Sequence, residues 1–337
     1  MARRRLTRQQ QQRIARLQEE RRKRLQERIE KQLAQAGDAE ARSGRVIRRH
    51  GQNLLVRDQA SGENHHCLFR QNLGEIVCGD RVLWQPVADG QGVVVALLPR
   101  ESVLSRSDYS GNEKPLAANI TQLVVVLAPR PEPAGYLTDQ YLVAAERMGV
   151  KALITLNKAD LLDDAQLEAF QENYRHYQRV GYPVITVSAR REHGLEPLLE
   201  HLAGETSILV GQSGVGKSSL INALLPHEVE AVGELSDASG LGRHTTSAAT
   251  LHFLDNGGEL IDSPGVRSFR PGHLTPRELE QGFREFRPWL GQCRFSNCHH
   301  RDEPGCALRE AVQRGGIDPR RLENFLLMAE KLERERY

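Results

Sequence analysis

Ile208-Leu209-Val210-Gly211-Gln212-Ser213-Gly214-Val215-Gly216-Lys217-Ser218-Ser219 runs from an apolar strand through a glycine-rich turn into a helix. Glycines at this spacing let successive backbone N–H groups close around phosphate oxygens, and the positive end of the following helix favours the same anion. Lys217 is placed to reach the β- and γ-phosphates, and Ser218 to bind Mg²⁺. The strand before and the helix after turn a pattern match into a phosphate loop, and with it an α/β nucleotide fold.

About fifty residues upstream, Asn157-Lys158-Ala159-Asp160 follows the apolar strand 151–156. There Asp160 can accept hydrogen bonds from guanine N1–H and the exocyclic amine, whereas adenine presents a mismatched edge. Lys158 lays its stem along the base, and Asn157 either braces the loop or contacts the base. After the next strand, Ser188-Ala189-Arg190 offers a backbone N–H to guanine O6. The expected ligand is therefore a guanine nucleotide. In an ordinary GTPase chain the phosphate loop comes first; here the order is inverted, as in a domain cut and rejoined.

Asp262-Ser263-Pro264-Gly265 follows strand 259–261. Asp262 can hold the Mg²⁺ shell, while the Gly265 N–H can bond the γ-phosphate. Between the two phosphate-facing segments lies Gly240-Leu241-Gly242-Arg243-His244-Thr245-Thr246. Thr246 is the expected Mg²⁺-sensing threonine, with Thr245 its rival. Val266 stands where many GTPases place a water-orienting glutamine, and an apolar side chain cannot orient the attacking water. His244 is the nearest group able to relay a proton near neutral pH, as a catalytic residue or as a partner contact.

Strand and helix signals alternate through 120–128, 138–148, 151–156, 164–180, 184–187, 196–202 and 206–210, reading as a doubly wound α/β domain over 104–272. Before it, five short strands (45–48, 53–57, 66–69, 80–84 and 92–97) suit a small barrel over 43–103. Periodicity leaves open an OB type or an SH3-like type. Arg48, Arg49, His50, Arg57 and Arg70 read as exposed, either for RNA or as a solvated face. Cys67 and Cys78 read as small buried apolar residues.

Behind the α/β domain, 273–337 reads as helical, with its last helix starting at Asp318-Pro319. Within it, Cys293, Cys298, His300 and Cys306 give three thiolates and an imidazole, the donor set of a closed structural Zn²⁺ site, with His299 a competing ligand. Residues 1–24 carry ten Arg and Lys against two Glu, although the whole chain is only +2. Such an arm (1–42), helix-prone or disordered, favours a polyanion as partner. Neither a membrane span nor a signal-peptide core is evident, so a cytoplasmic protein with reduced cysteines is expected.

On these motifs the chain resembles the ribosome-small-subunit-dependent GTPase A family from about residue 43 onward. The resemblance rests on the barrel, the permuted order of the tetrad, the phosphate loop and Asp262–Gly265, and the Cys/Cys/His/Cys knuckle. It implies a bacterial cytoplasmic GTPase, expected as a monomer, that hydrolyses GTP to GDP late in small-subunit maturation. It further implies rRNA binding, stimulation by the subunit, release of assembly factors, and a catalytic role for His244. The competing class is an RNA-binding checkpoint in which GTP only sets affinity.

Overall fold

The computed structural model describes residues 27, 30, 40–87, 90–107, 113–133, 135–191, 193–225, 249–263 and 274–334. The chain divides between Pro99 and Arg100 into two compact units.

In the first unit, β1 (Arg42–His50), β2 (Asn53–Asp58), β3 (Asn64–Phe69), β4 (Arg81–Pro86) and β5 (Gln91–Leu97) pair in the order β1-β2-β3-β5-β4. β4 returns to β1, with Arg42 opposite Trp84 and Arg45 opposite Arg81, which closes the barrel. β3 and β5 run parallel, and the other pairs are antiparallel. This closed order is OB-like and settles what periodicity left open. Alternation along β2 turns Leu54 and Val56 inward, where they meet Val46, Phe69, Val82, Val94 and the fully buried Trp84. A Cβ on Gly92 would lie 2.5 Å from the Trp84 ring, so the indole occupies the space that this residue type leaves. Truncating such a ring to alanine costs about 3–5 kcal/mol. Cys67 and Cys78 are each 2% exposed. Burial pushes the Cys67 thiol up to about 12, consistent with an unreactive packing role. The basic residues read as exposed need correction: Arg48, Arg49 and Arg57 are half-buried, while His50 and Arg70 are exposed. Arg49 is committed to the barrel, donating to the Ile76 carbonyl at 2.7 Å and lying over Phe69.

The second unit opens with a hairpin, β6 (Val103–Ser107) against β7 (Glu113–Ala118). Then come β8 (Gln122–Leu127), α1 (Gly135–Met148), β9 (Lys151–Leu156), α2 (Asp164–Glu172), α3 (Arg175–Arg179) and β10 (Val184–Thr186). They are followed by α4 (Glu196–Leu202), β11 (Thr206–Val210), α5 (Lys217–Leu224), β12 (Thr250–Phe253) and β13 (Glu259–Asp262). The strands lie in the order β10-β9-β8-β11-β13-β12, parallel except for β12. β8 and β11 are buried along their whole length, as strands covered on both faces must be. The helix expected over 164–180 is two helices. α2 buries none of its residues, whereas Tyr174, His176 and Tyr177 are buried, and the break at Asn173 lets the chain change face.

Beyond the sheet, α6 (Pro276–Gln281), a 3₁₀ turn (Arg284–Trp289), α7 (Ala307–Gln313) and α8 (Pro319–Arg334) enclose Leu279, Phe283, Phe286, Leu308 and Phe325. Thr275 and Glu278 form a capping box that starts α6, with Pro276 in its first turn. Asp318 accepts the Arg320 N–H at the start of α8. Among the described residues, no helix is long and apolar enough to cross a membrane.

Candidate nucleotide and metal sites

The parallel strands deliver their C-terminal ends to one edge of the sheet, where ligands of such folds bind. β11 ends at Val210, and the chain turns at Gly211 with φ 140°. A Cβ there would lie 2.3 Å from the Val126 carbonyl oxygen. At Gly216, φ is 98°, and a Cβ would lie 2.5 Å from Asn157 Nδ2. Both positions have positive φ and no room for a side chain: the Val126 backbone fills the space at Gly211, and the Asn157 side-chain amide fills it at Gly216. Val215 is fully buried and ties the loop to the core under α5. Lys217 Nζ donates to the Gly211 and Gln212 carbonyls at 2.7 Å each, which lays the ammonium across the loop. Ser218 and Ser219 are exposed on the first turn of α5.

The tetrad sits against this loop. Asn157 donates from Nδ2 to the Val215 carbonyl at 2.9 Å, and its own N–H bonds Leu127 at 2.7 Å. Of the two roles considered for Asn157, bracing the phosphate loop is the one its contacts display. Lys158, at φ 62°, reaches the Gly214 carbonyl at 2.5 Å and the Arg130 carbonyl at 3.0 Å. Ser188 Oγ donates to Asp160 Oδ1 at 2.6 Å and accepts the Arg190 N–H at 3.2 Å. That Ser188 hydrogen bond, ahead of the burial that opposes it, holds the Asp160 carboxyl below the usual carboxylate range. Asp160 is thus an ionised acceptor, as a reader of two guanine N–H groups must be. Ala159 takes Arg191 Nη2 on its carbonyl at 3.1 Å, so the 188–191 segment and the tetrad hold each other. Ala189 lies in the same segment and is half-buried.

Asp262 closes β13, beside β11, with Ile261 in register with Ile208. Its carboxylate and the Ser218 hydroxyl are hard oxygen donors of the type Mg²⁺ takes. His244, Thr245, Thr246, Gly265 and Val266 lie outside the described residues.

Sequence reasoning missed the 128–133 segment. Arg130 accepts from Lys158, and the Pro131 ring would lie 3.6 Å from a Cβ on Gly214. The signal was present: Pro129, Pro131 and Pro133 follow a fully buried strand.

In the C-terminal segment, Cys293, Cys298, His300 and Cys306 offer ligand atoms that all lie within 4.8 Å of one another. His300 Nδ1 is 3.5, 3.6 and 3.3 Å from the three sulfurs in chain order. A tetrahedral ion with bonds of about 2.3 Å to sulfur and about 2.0 Å to nitrogen sets that edge near 3.5 Å. The donor set and spacing therefore fit Zn²⁺. The His300 N–H points at Cys298 Sγ and the Ala307 N–H at Cys293 Sγ, both at 3.4 Å, contacts that favour thiolates. His300 Nε2 lies 3.5 Å from Glu280 Oε1, an outer partner that orients the ring. His299 is not in the cluster; its N–H bonds Glu303.

Residues 97–271 match the family model described as RsgA GTPase. The protein named small ribosomal subunit biogenesis GTPase RsgA from Alcanivorax borkumensis is 51% identical over 302 residues, covering 87% of this chain and 86% of that one. Its namesake from Hahella chejuensis is 48% identical over 295 residues, covering 87% and 85%. Among solved structures, YjeQ from Thermotoga maritima superposes with a TM-score of 0.72 at 35% identity, covering 87% of this chain and 99% of that one. YloQ, described as a circularly permuted GTPase, gives 0.71 at 26% identity, covering 88% and 96%. The inverted motif order is thus an inherited arrangement, and the chain belongs to the RsgA GTPase family of GTP-hydrolysing, circularly permuted enzymes.

Proposed function

We propose that this GTPase works in maturation of the small ribosomal subunit, the process named for its relatives. In this reading the nucleotide state sets how firmly the protein holds rRNA. The observation that carries the nucleotide chemistry is the joining of tetrad and phosphate loop through Asn157–Val215 and Lys158–Gly214. These bonds support reading the tetrad and the glycine-rich loop as one nucleotide site.

In that site Asp160 reads the guanine edge, the Ser188-Ala189 backbone meets O6, and residues 211–219 with Lys217 hold the phosphates. Mg²⁺ bound with GTP, held by Ser218, Thr246 and Asp262, supplies neutralising charge to the phosphates. The Gly265 N–H meets the γ-phosphate. His244 takes the proton of the attacking water as the bond to the β–γ bridging oxygen breaks, leaving GDP and inorganic phosphate. With Val266 in place of a glutamine, intrinsic turnover is slow, and the small subunit raises it. Zn²⁺ held by Cys293, Cys298, His300 and Cys306 is structural, since four protein ligands leave it no open position.

The basic arm and the exposed His50 and Arg70 of the barrel supply contacts to rRNA. Hydrolysis then releases the GTPase together with assembly factors, in the cytoplasm and as a monomer. The test is GTP turnover by the full chain alone, with purified small subunits, and with purified large subunits. Stimulation by the small subunit alone supports the reading. Equal stimulation by both, or by neither, sinks it.

A further inference from the structure

Helix α1 is packed on two faces, and each face leads to a different part of the protein. On one, Asp139 is fully buried and takes hydrogen bonds from Arg321 Nη1, from Tyr177 Oη at 2.7 Å and from Asn324 Nδ2 at 2.7 Å. Arg321, on α8, is also fully buried. It grips Glu285 through Nε at 2.5 Å and Nη2 at 3.1 Å, and its guanidinium lies 4.4 Å from the Phe283 ring centre. The same face of α1 gives Val143 to the C-terminal apolar core, and Glu146 to Arg284 and Arg287 at 2.5 and 2.6 Å.

The other face meets the phosphate loop. Tyr141 is 2% exposed, and its hydroxyl oxygen accepts the Gly211 backbone N–H, the first amide of that loop. Just before α1, the Arg130 carbonyl takes Lys158, and Pro131 borders Gly214. One helix thus carries the seat of the C-terminal domain and the back wall of the phosphate loop. A buried arginine among carboxylates is a weak source of stability, since an apolar group of the same shape often serves as well. Its geometry is specific, however, and any small shift of α8 moves Asp139 with it.

We propose that Tyr141 is a positioning residue for the phosphate loop, and that the Asp139–Arg321 pair sets the stance of α1 behind it. The C-terminal domain then tunes guanine-nucleotide affinity through the back of the site, apart from the switch segments. By linkage, whatever displaces α8 changes GDP and GTP affinity, and bound nucleotide changes the hold on that ligand by the same factor. The inference rests on reading 211–218 as the phosphate loop.

The test uses the full chain, fluorescent GDP for equilibrium binding, and steady-state GTP kinetics. Tyr141→Phe removes one hydroxyl and keeps the ring, so the Kd for GDP and the KM for GTP should rise roughly three- to tenfold, with kcat moving less. Asp139→Asn should weaken binding in the same way, and the double variant should bind no more than about twofold worse than the weaker single one. If Asp139→Asn does not fold, Tyr177→Phe, which removes one donor to Asp139, takes its place in the cycle. GDP binding by Tyr141→Phe equal to wild type overturns the proposal. So do effects that simply multiply, and a lowered Tm with unchanged affinity. Failure of the unmodified chain to bind GDP would instead overturn the reading of the phosphate loop.

Discussion

Asn157 donates its side-chain amide to the carbonyl of Val215, 2.9 Å away and fifty-eight residues further along the chain. This bond joins the 157–160 tetrad to the glycine-rich loop 211–218, and Gly216 packs against the same amide. In the permuted chain the tetrad precedes the phosphate loop, yet the contact forms because β9 and β11 both flank β8.

Asn157→Ala removes that bond from a buried position. The loss is about 1–3 kcal/mol, so GDP and GTP should each bind about 5- to 160-fold more weakly. Equilibrium titration with fluorescent GDP reads this directly. Equal weakening for both nucleotides is expected, because the bond lies away from the γ-phosphate.

The phosphate loop and tetrad were legible in the sequence because their backbone demands are written in residue types. Gly211 and Gly216 sit where nothing larger fits, and each motif follows an apolar strand. The barrel's strands were legible from alternation, but its type was not, since the β1–β4 closure depends on pairings far apart in sequence. The β6–β7 hairpin escaped notice because Pro115 and a polar link mask its alternation. Least visible was Arg321. It neighbours Arg320 in a charged helix, and only the fold decides that one is exposed and the other is sealed against Asp139.

Removing metal tests the Cys/His cluster. One zinc per chain is expected by metal analysis, and Cys306→Ser or a strong chelator should abolish it and lower Tm. The loss should register as unfolding around Phe283, Phe286 and Phe325, because His300 packs edge-on against Phe325. Full retention of Tm on zinc removal would argue against a structural ion.

His244→Ala should lower subunit-stimulated turnover by about 10²- to 10⁴-fold, the usual worth of a positioned acid–base group. GDP affinity should stay within about twofold, because GDP lacks the group on which this residue acts. Single-turnover GTP hydrolysis with small subunits present is the measurement. Unchanged turnover would remove His244 from the catalytic step.

Acid should weaken base recognition late, after carboxylates of ordinary pKa have protonated. Asp160 is held below the usual carboxylate range by Ser188, so base recognition persists to lower pH than an ordinary carboxylate would allow and is lost only as pH falls through that lowered value. Ser188→Ala should shift that loss upward in pH, as GDP binding followed from pH 7 to 3 would reveal.

If Asp160 reads guanine within a single permuted site, Asp160→Asn should change which base that site accepts. The amide can donate to a carbonyl where the carboxylate could only accept, so preference should turn from GTP to the xanthine nucleotide. The ratio of kcat/KM values for the two substrates should reverse by about 10²-fold or more. An unaltered preference for GTP in the folded variant would mean that Asp160 does not read the base.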